Sequence, residues 1–490
     1  MKPNRRTFLA TASLAAMHSL SSPVFLPAAE ATPYQSANAG DFYRPADPAY
    51  SIVESVADSL RFTTRRCLTT YRGNLCATST FVDPDGVPAL WHEFGALEGV
   101  GWAANCVGGA AELLHYARVF NDPRLQAIGV SVLHHALEGG FFQEDGFVLP
   151  YRDTHSDSHF LNYMHEKKFN NWFCPGSIAH IVLQLLWAAD EVPNPLRARL
   201  HQTALRTADW LWQHVKPAEN GWYPRRLQPD GSHANYNAWG GEPDPQWDHS
   251  GDGTYLLWLW TELTQRGLRD YRAEIKRAAG VFHSIGGAFG SINHDTYDDH
   301  ENVAYSVGFR TLARAANVLR DPKLYDWALE HCLHGLEQFE MKDDRNGVQT
   351  RGLLYMEASW DTSYLWENAE AAMALLEAAR ATRNADYERK GVTILRSAAL
   401  HHHGEHGFLT EGVDWNNHNA QWREVDGQKI PIHVGGVEFG DVNYTQPFLN
   451  NMHITTPTLF YLETLARQED TAEGVRYYDM EDNLLKTRAI

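Results

Sequence analysis

Residues able to move protons or grip a sugar recur in short clusters along this 490-residue chain. The clusters are Trp91-His92-Glu93, Tyr163-Met164-His165-Glu166 followed by Asn170-Asn171-Trp172, and Gln246-Trp247-Asp248-His249. Further on come His300-Glu301-Asn302 with Tyr305, Trp360-Asp361-Thr362 with Tyr364 and Trp366, and Asn443-Tyr444 with Asn450, Asn451 and His453. Many of the chain's 16 tryptophans and 21 tyrosines fall in these stretches. Flat rings suit the C–H faces of sugars, while Asn, His and Asp read hydroxyl groups. Any one of these residues could equally cap a helix or close a core, so the pattern as a group carries the inference.

Two reactions fit such a set. β-Elimination from a uronate chain needs a group that blunts the C6 carboxylate, a base for the C5 proton and an acid for the leaving oxygen. His249 and Tyr305 suit the base and acid roles, and neither needs a metal or cofactor. Glu166 and Glu242, kept protonated by burial, would neutralise the substrate carboxylate, supplemented by Asn171, Arg225, Arg226 and Arg310. Trp172, Trp247, Trp360, Tyr364, Asn443, Tyr444 and His453 are the remaining expected substrate contacts. Hydrolysis instead requires two carboxyl groups across a glycosidic bond, for which Asp248, Asp252, Asp361 and Glu367 are available. A glycan-binding protein without turnover is the third reading.

The elements that must position these residues are helices in alternation. Segments rich in small and apolar residues run over 98–120, 170–192, 250–265, 300–319, 360–382 and 443–467. Between them lie amphipathic, charged segments at 123–138, 195–215, 270–285, 322–339 and 386–402, several opening on Asp-Pro or Asn-Pro, where proline suits the first helical turn. A glycine beside aromatic or hairpin residues follows each outer segment, as in Asn220-Gly221-Trp222-Tyr223 and His406-Gly407-Phe408, and returns the chain to the next inner one. With an opening outer helix near 50–68 this makes an all-α-dominated (α/α)6 toroid with short β-hairpin loops, with a seventh pair if the loops hide one. An open solenoid of helix pairs is the alternative. Closure brings the loops ahead of the inner helices to one end of the axis, where the clusters above converge.

The ring of helix pairs, the Glu242-x6-His249 spacing, the Glu166 loop and Tyr305 in Asn302-Val303-Ala304-Tyr305 resemble polysaccharide lyase family 38. That family contains alginate and glucuronan lyases on a helical toroid. The resemblance implies proton transfer by His249 and Tyr305, and carboxylate neutralisation by Glu242 and Glu166. At fold level the chain also resembles unsaturated glucuronyl hydrolases and acylglucosamine epimerase-like proteins, and a shared fold does not fix a reaction.

The N-terminus carries Arg5-Arg6, a modest apolar run and Ala29-Glu30-Ala31, the form of a twin-arginine export signal with a processing site. Residues 1–31 are read as that signal and 32–490 as a single catalytic toroid, periplasmic or secreted. Formal charge is −19; losing residues 1–31 removes a net +2 and leaves −21. Such a surface repels nucleic acid and anionic membranes, so the expected partner is an anionic poly- or oligosaccharide met by a local basic lining. Five cysteines without a C-x-x-C pair predict few disulfides, Cys67 and Cys76 alone being near enough for a local bridge. His401-His402-His403-Gly404-Glu405-His406 contains a literal H-x-x-E-H, but Gly404 interrupts the helix that a zinc site of that kind needs. The acidic stretch 295–301 lacks the spacing of a calcium loop.

Overall fold

The computed structural model describes residues 50–488 apart from 83–85, 89–94, 165, 295, 346–348, 358–361, 403–406, 416–421, 426–427, 432–444 and 473. The expected export signal therefore lies outside the described residues, as do Trp360, Asn443, Tyr444, Asp361 and most of the H-x-x-E-H run.

Among the described residues twelve α-helices form six pairs. The outer helices are α1 (Ile52–Arg66), α3 (Pro123–Glu138), α5 (Leu196–His214), α7 (Arg272–Ser284), α9 (Pro322–Trp327) and α11 (Ala385–Ala399). The inner helices are α2 (Cys106–Phe120), α4 (Pro175–Asp190), α6 (Thr254–Gln265), α8 (Asn302–Leu319), α10 (Leu365–Thr382) and α12 (Thr455–Thr464). Each inner helix packs against the next, and α12 returns to α2 and α1, so the ring closes as a toroid and is no open solenoid. α9 runs on through a π turn at Ala328–Leu333 and a 3₁₀ stretch at His334–Phe339, reaching the end of the expected segment by a changed winding.

Local chemistry explains the alternation. Inner helices are buried nearly all round, as in α4, where fourteen of sixteen residues are inside; outer helices bury one stripe, as in α7, with Ile275, Ala278, Ala279 and Phe282. Three inner-to-outer corners use one two-residue device. Asn121, Arg320 and Arg383 end their inner helices in the left-handed region at φ 54°, 56° and 59°. The next residue, Asp122, Asp321 or Asn384, then caps the outer helix with its side-chain oxygen. Where inner helices begin, space is short: a Cβ on Gly176 would stand 1.9 Å from the Asp252 carbonyl oxygen.

Two expected boundaries shift. The first inner helix starts at Cys106, because Leu97–Gly99 pairs instead with Tyr151–Asp153 as a small sheet. The last ends at Thr464, because Arg467–Thr471, Gly474–Tyr478 and Leu484–Arg488 make a three-stranded antiparallel sheet. That sheet meets the N-terminal helix, where the Ser51 hydroxyl donates to the Leu485 carbonyl at 2.9 Å. All five cysteines are free thiols, Cys67 and Cys76, the one pair near enough in sequence for a local bridge, among them. α11 ends at Ala399, which leaves His401 and His402 beyond the helix, bonded to the Gln349 carbonyl at 2.8 Å and the Ser59 hydroxyl at 3.3 Å.

Candidate active site in the bore

Each inner helix, or the turn leading into it, sends a polar or aromatic side chain to the axis. Trp102 precedes α2 and Glu112 lies on it; His180 and Gln184 come from α4, Tyr255 and Trp258 from α6, Arg310 from α8, Trp366 and Glu370 from α10, and His453 precedes α12. These groups touch across the ring. His453 lies between two carboxylates, with Nδ1 3.0 Å from Glu112 and Nε2 2.8 Å from Glu370. Glu370 is also bonded by Arg310, whose guanidinium sits 4.7 Å from the Trp258 ring centroid. His180 stacks on Tyr255 at 4.5 Å and meets Trp102 at 5.3 Å; Trp102 in turn meets Trp366 edge-on at 4.7 Å.

The two histidines hold opposite charge states. Burial pushes His180 down to about 3, and the neighbouring His453 and Arg310 charges add to this against the opposing pull of Glu370, so its imidazole is neutral. For His453 burial acts the same way, but hydrogen bonds to Glu112 and Glu370 outweigh it and hold the ring up to about 10, as imidazolium. Glu370, in spite of its burial, is held well below the usual carboxylate range by Arg310 and His453. The bore therefore offers a desolvated neutral base, a fixed imidazolium and guanidinium, and four aromatic walls. That set puts an unprotonated imidazole beside two fixed cations whose N–H groups are bonded to Glu112, Glu370 and Glu377.

Toward the loops lies a second, fully buried polar layer. Asp252 accepts from the Gly176 amide at 3.0 Å and the Ser177 hydroxyl at 3.2 Å, and Ser177 also pairs with His294 Nε2 at 2.9 Å. Burial raises Asp252 to about 7 in spite of Arg225, so it holds its proton up to near neutral pH, and burial lowers His294, which is uncharged. Glu301 and Glu367 share the Asn293 amide at 2.7 and 3.0 Å, and Glu367 also takes Asn302 at 2.8 Å. Burial, then the charge of Glu301, drives Glu357 and Glu367 upward. Asp252 and Glu367, two of the four carboxyls available for hydrolysis, are thus spent on fastening loops.

The elimination set expected from sequence is dispersed. His249 is on the rim, its side chain 39% exposed, with Nδ1 2.9 Å from Asp248. Tyr305 faces the outer layer: its ring stacks on Phe289 at 3.9 Å and its hydroxyl pairs with His300 Nδ1 at 2.6 Å. The two share no bond or ring contact. Glu242 is exposed, and Glu166 pairs with Lys168 at 2.5 Å in a side chain 43% exposed, so neither has the burial that the expected role requires. Asn171 is exposed beside Tyr236, and Trp247 packs half-buried on His233. Tyr364 ends the short strand Thr362–Tyr364 and is half-buried.

Arg225, Arg226 and Trp172 do assemble, but as internal structure. The arginines bond the carbonyls of Asn293, His294 and Thr296 and pair with Asp244, and Arg226 lies 4.8 Å from the Trp172 ring. Among the described residues of the expected set, Arg310 and His453 alone meet at the axis, through Glu370. Sequence reasoning missed His180, Glu370 and Glu112 because it searched helix entrances. The available signal was a lone polar residue inside an apolar helix, as in Ile178-Ala179-His180-Ile181-Val182 and Ala111-Glu112-Leu113-Leu114.

No protein-family model and no curated protein sequence matches the chain, so neither supports the resemblance to polysaccharide lyase family 38. Solved structures do match in fold. A sugar epimerase from a ruminal bacterium superposes with TM-score 0.56 at 13% identity, over 84% of this chain and 97% of that one. Cellobiose 2-epimerase from Bacillus thermoamylovorans gives 0.56 at 12%, over 84% and 98%. A family 76 glycoside hydrolase from a bovine Bacteroides thetaiotaomicron strain gives 0.51 at 11%, over 84% and 78%.

Proposed function

We propose that the protein is a carbohydrate-active enzyme that removes a proton from a sugar carbon beside a carbonyl or carboxyl group, working in the bore. The observation that carries this reading is the pairing of a neutral His180 with a charged His453 among Trp102, Trp258, Tyr255 and Trp366. His180 takes the proton, and the fixed charges of His453 and Arg310 act at a distance on the oxygen that gains charge. Glu112 and Glu370 act as positioning residues that keep His453 protonated. The fold-level likeness to sugar epimerases and a glycoside hydrolase is consistent with a sugar substrate.

β-Elimination from a uronate polymer, alginate or glucuronan, is the reaction we assign. There the C5 proton goes to His180, the C5–H electrons form the C4–C5 double bond, and the C4–O bond breaks with the leaving oxygen taking a proton from water, while His180 later returns its proton to solvent. The half-exposed His249–Asp248 pair and the rim residue Trp247 would then meet the flanking sugar units.

A second reading, epimerisation of a neutral sugar through the same first step, is favoured by the fact that Arg310 and His453 already have carboxylate partners. The two diverge in product. Incubation with a panel of uronate polymers should raise absorbance in the ultraviolet band of a 4,5-unsaturated uronate. Deuterium gained from heavy water at an unbroken sugar's C2, without that band, points to epimerisation. Reducing ends formed with neither signal reject proton abstraction and leave hydrolysis.

A further inference from the structure

Outside the bore, another cluster joins the N-terminal hairpin to the first helix pair. Cys76 lies on the strand Asn74–Ala77, Glu98 on Leu97–Gly99 and His135 on α3. All are 0–1% exposed, and one donor atom from each falls within 4.8 Å of the others. We propose that Cys76, Glu98 and His135 bind a single divalent transition-metal ion, zinc by their donor set, as a structural clasp.

Sulfur, imidazole nitrogen and carboxylate oxygen on three separate elements make the mixed set that zinc takes, whereas calcium and magnesium want oxygen alone. The organic groups are not fully satisfied by one another. His135 Nε2 pairs with Glu98 Oε2 at 2.9 Å, which leaves its buried Nδ1 with no hydrogen-bond partner among the described residues. An unpartnered buried ring nitrogen is one that an ion can bond.

The surroundings fit an outer shell. Arg152 Nε donates to Glu98 Oε1 at 2.6 Å and orients the carboxylate, and Arg152 is itself held by Asp157 at 3.2 Å and lies 3.7 Å from the Tyr71 ring. Tyr71 and Phe141 stand edge-on to the His135 ring at 5.6 and 5.5 Å and keep the site dry. On charge, one thiolate and one carboxylate balance the ion. A bound metal takes the proton's place on the Cys76 sulfur. Cys106, the first residue of α2, is a second buried sulfur, near enough for the charges of Glu98 and Cys76 to be felt by its thiol.

The test is metal content together with a cobalt spectrum. The purified protein, loaded with zinc and dialysed against metal-free buffer, should retain about one ion per chain by elemental mass spectrometry. Cys76→Ser and His135→Ala should lower that at least fivefold, with folding checked by circular dichroism. Cobalt(II) loading should give a near-ultraviolet sulfur-to-metal band that Cys76→Ser removes. A folded wild-type chain that retains no zinc, or one whose zinc is unchanged in both variants, would overturn the proposal. Should the variants fail to fold, the wild-type cobalt spectrum decides: a spectrum without the thiolate band overturns it.

Discussion

At the scale of single residues the bore is a chain of charge dependences running Glu112, His453, Glu370, Arg310. Removing one member alters the others. Glu370→Gln takes away one of the carboxylates that hold His453 protonated, so the alkaline limb of the pH–rate profile should move down by about one pH unit, with KM changed less than kcat. The same linkage acts on stability. His453 titrates near 10 in the folded chain against about 6.5 unfolded. Its contribution is therefore complete below about pH 6.5 and is lost as pH rises toward 10. The melting-temperature difference between wild type and His453→Gln should narrow over that range; a constant difference would mean that His453 is not charged in the fold. Tyr305 makes the opposite case. Its hydroxyl faces His300 and the outer layer, so Tyr305→Phe should leave turnover within about threefold and cost about 1 kcal/mol of stability, read by denaturant unfolding.

At the scale of elements, legibility depended on how local the determinants are. α3 begins and ends where the sequence predicts, because Asp122-Pro123 caps one end and Gly139 follows the other. The start of α2 was not legible: Glu98 has a helical neighbourhood in sequence, but its strand partner Arg152 is 54 residues away. The strands after Thr464 were missed for a similar reason, since three short pieces are stabilised by one another and by bonds to α1, α11 and α12 that the fold sets. Site residues divide the same way. His453 and Arg310 were found by residue type, whereas the outward direction of Tyr305 depended on which helix face meets the axis, and His249 lies in a turn before α6. That face is set by packing with the neighbouring pairs. Corner chemistry makes its own predictions. Asp321→Ala should destabilise by about 1 kcal/mol through loss of its bonds to the Lys323 and Leu324 amides. Gly176→Ala should cost more, about 1–3 kcal/mol, because a Cβ meets the Asp252 carbonyl where α4 and α6 enter the ring.

At the scale of the whole molecule, closing six helix pairs into a ring turns isolated polar residues into one site. His180 and His453 are 273 positions apart in sequence, and they become electrostatic neighbours because α4 and the turn before α12 face the same axis. The ring also explains how an acidic protein can hold cations inside: Arg310 and His453 are fixed by Glu112, Glu370 and Glu377. The fold alone hosts epimerases and hydrolases, so the reaction must be read at the bore. The most direct measurement compares turnover, on whichever sugar or polymer of the panel responds, among folded His180→Ala, His453→Ala, His249→Ala and Tyr305→Phe variants. A bore mechanism predicts loss of at least about a hundredfold in the first two, a modest effect at His249 and none of consequence at Tyr305. Near wild-type turnover in His180→Ala and His453→Ala, with loss in the other two, would contradict it and return the chemistry to the rim.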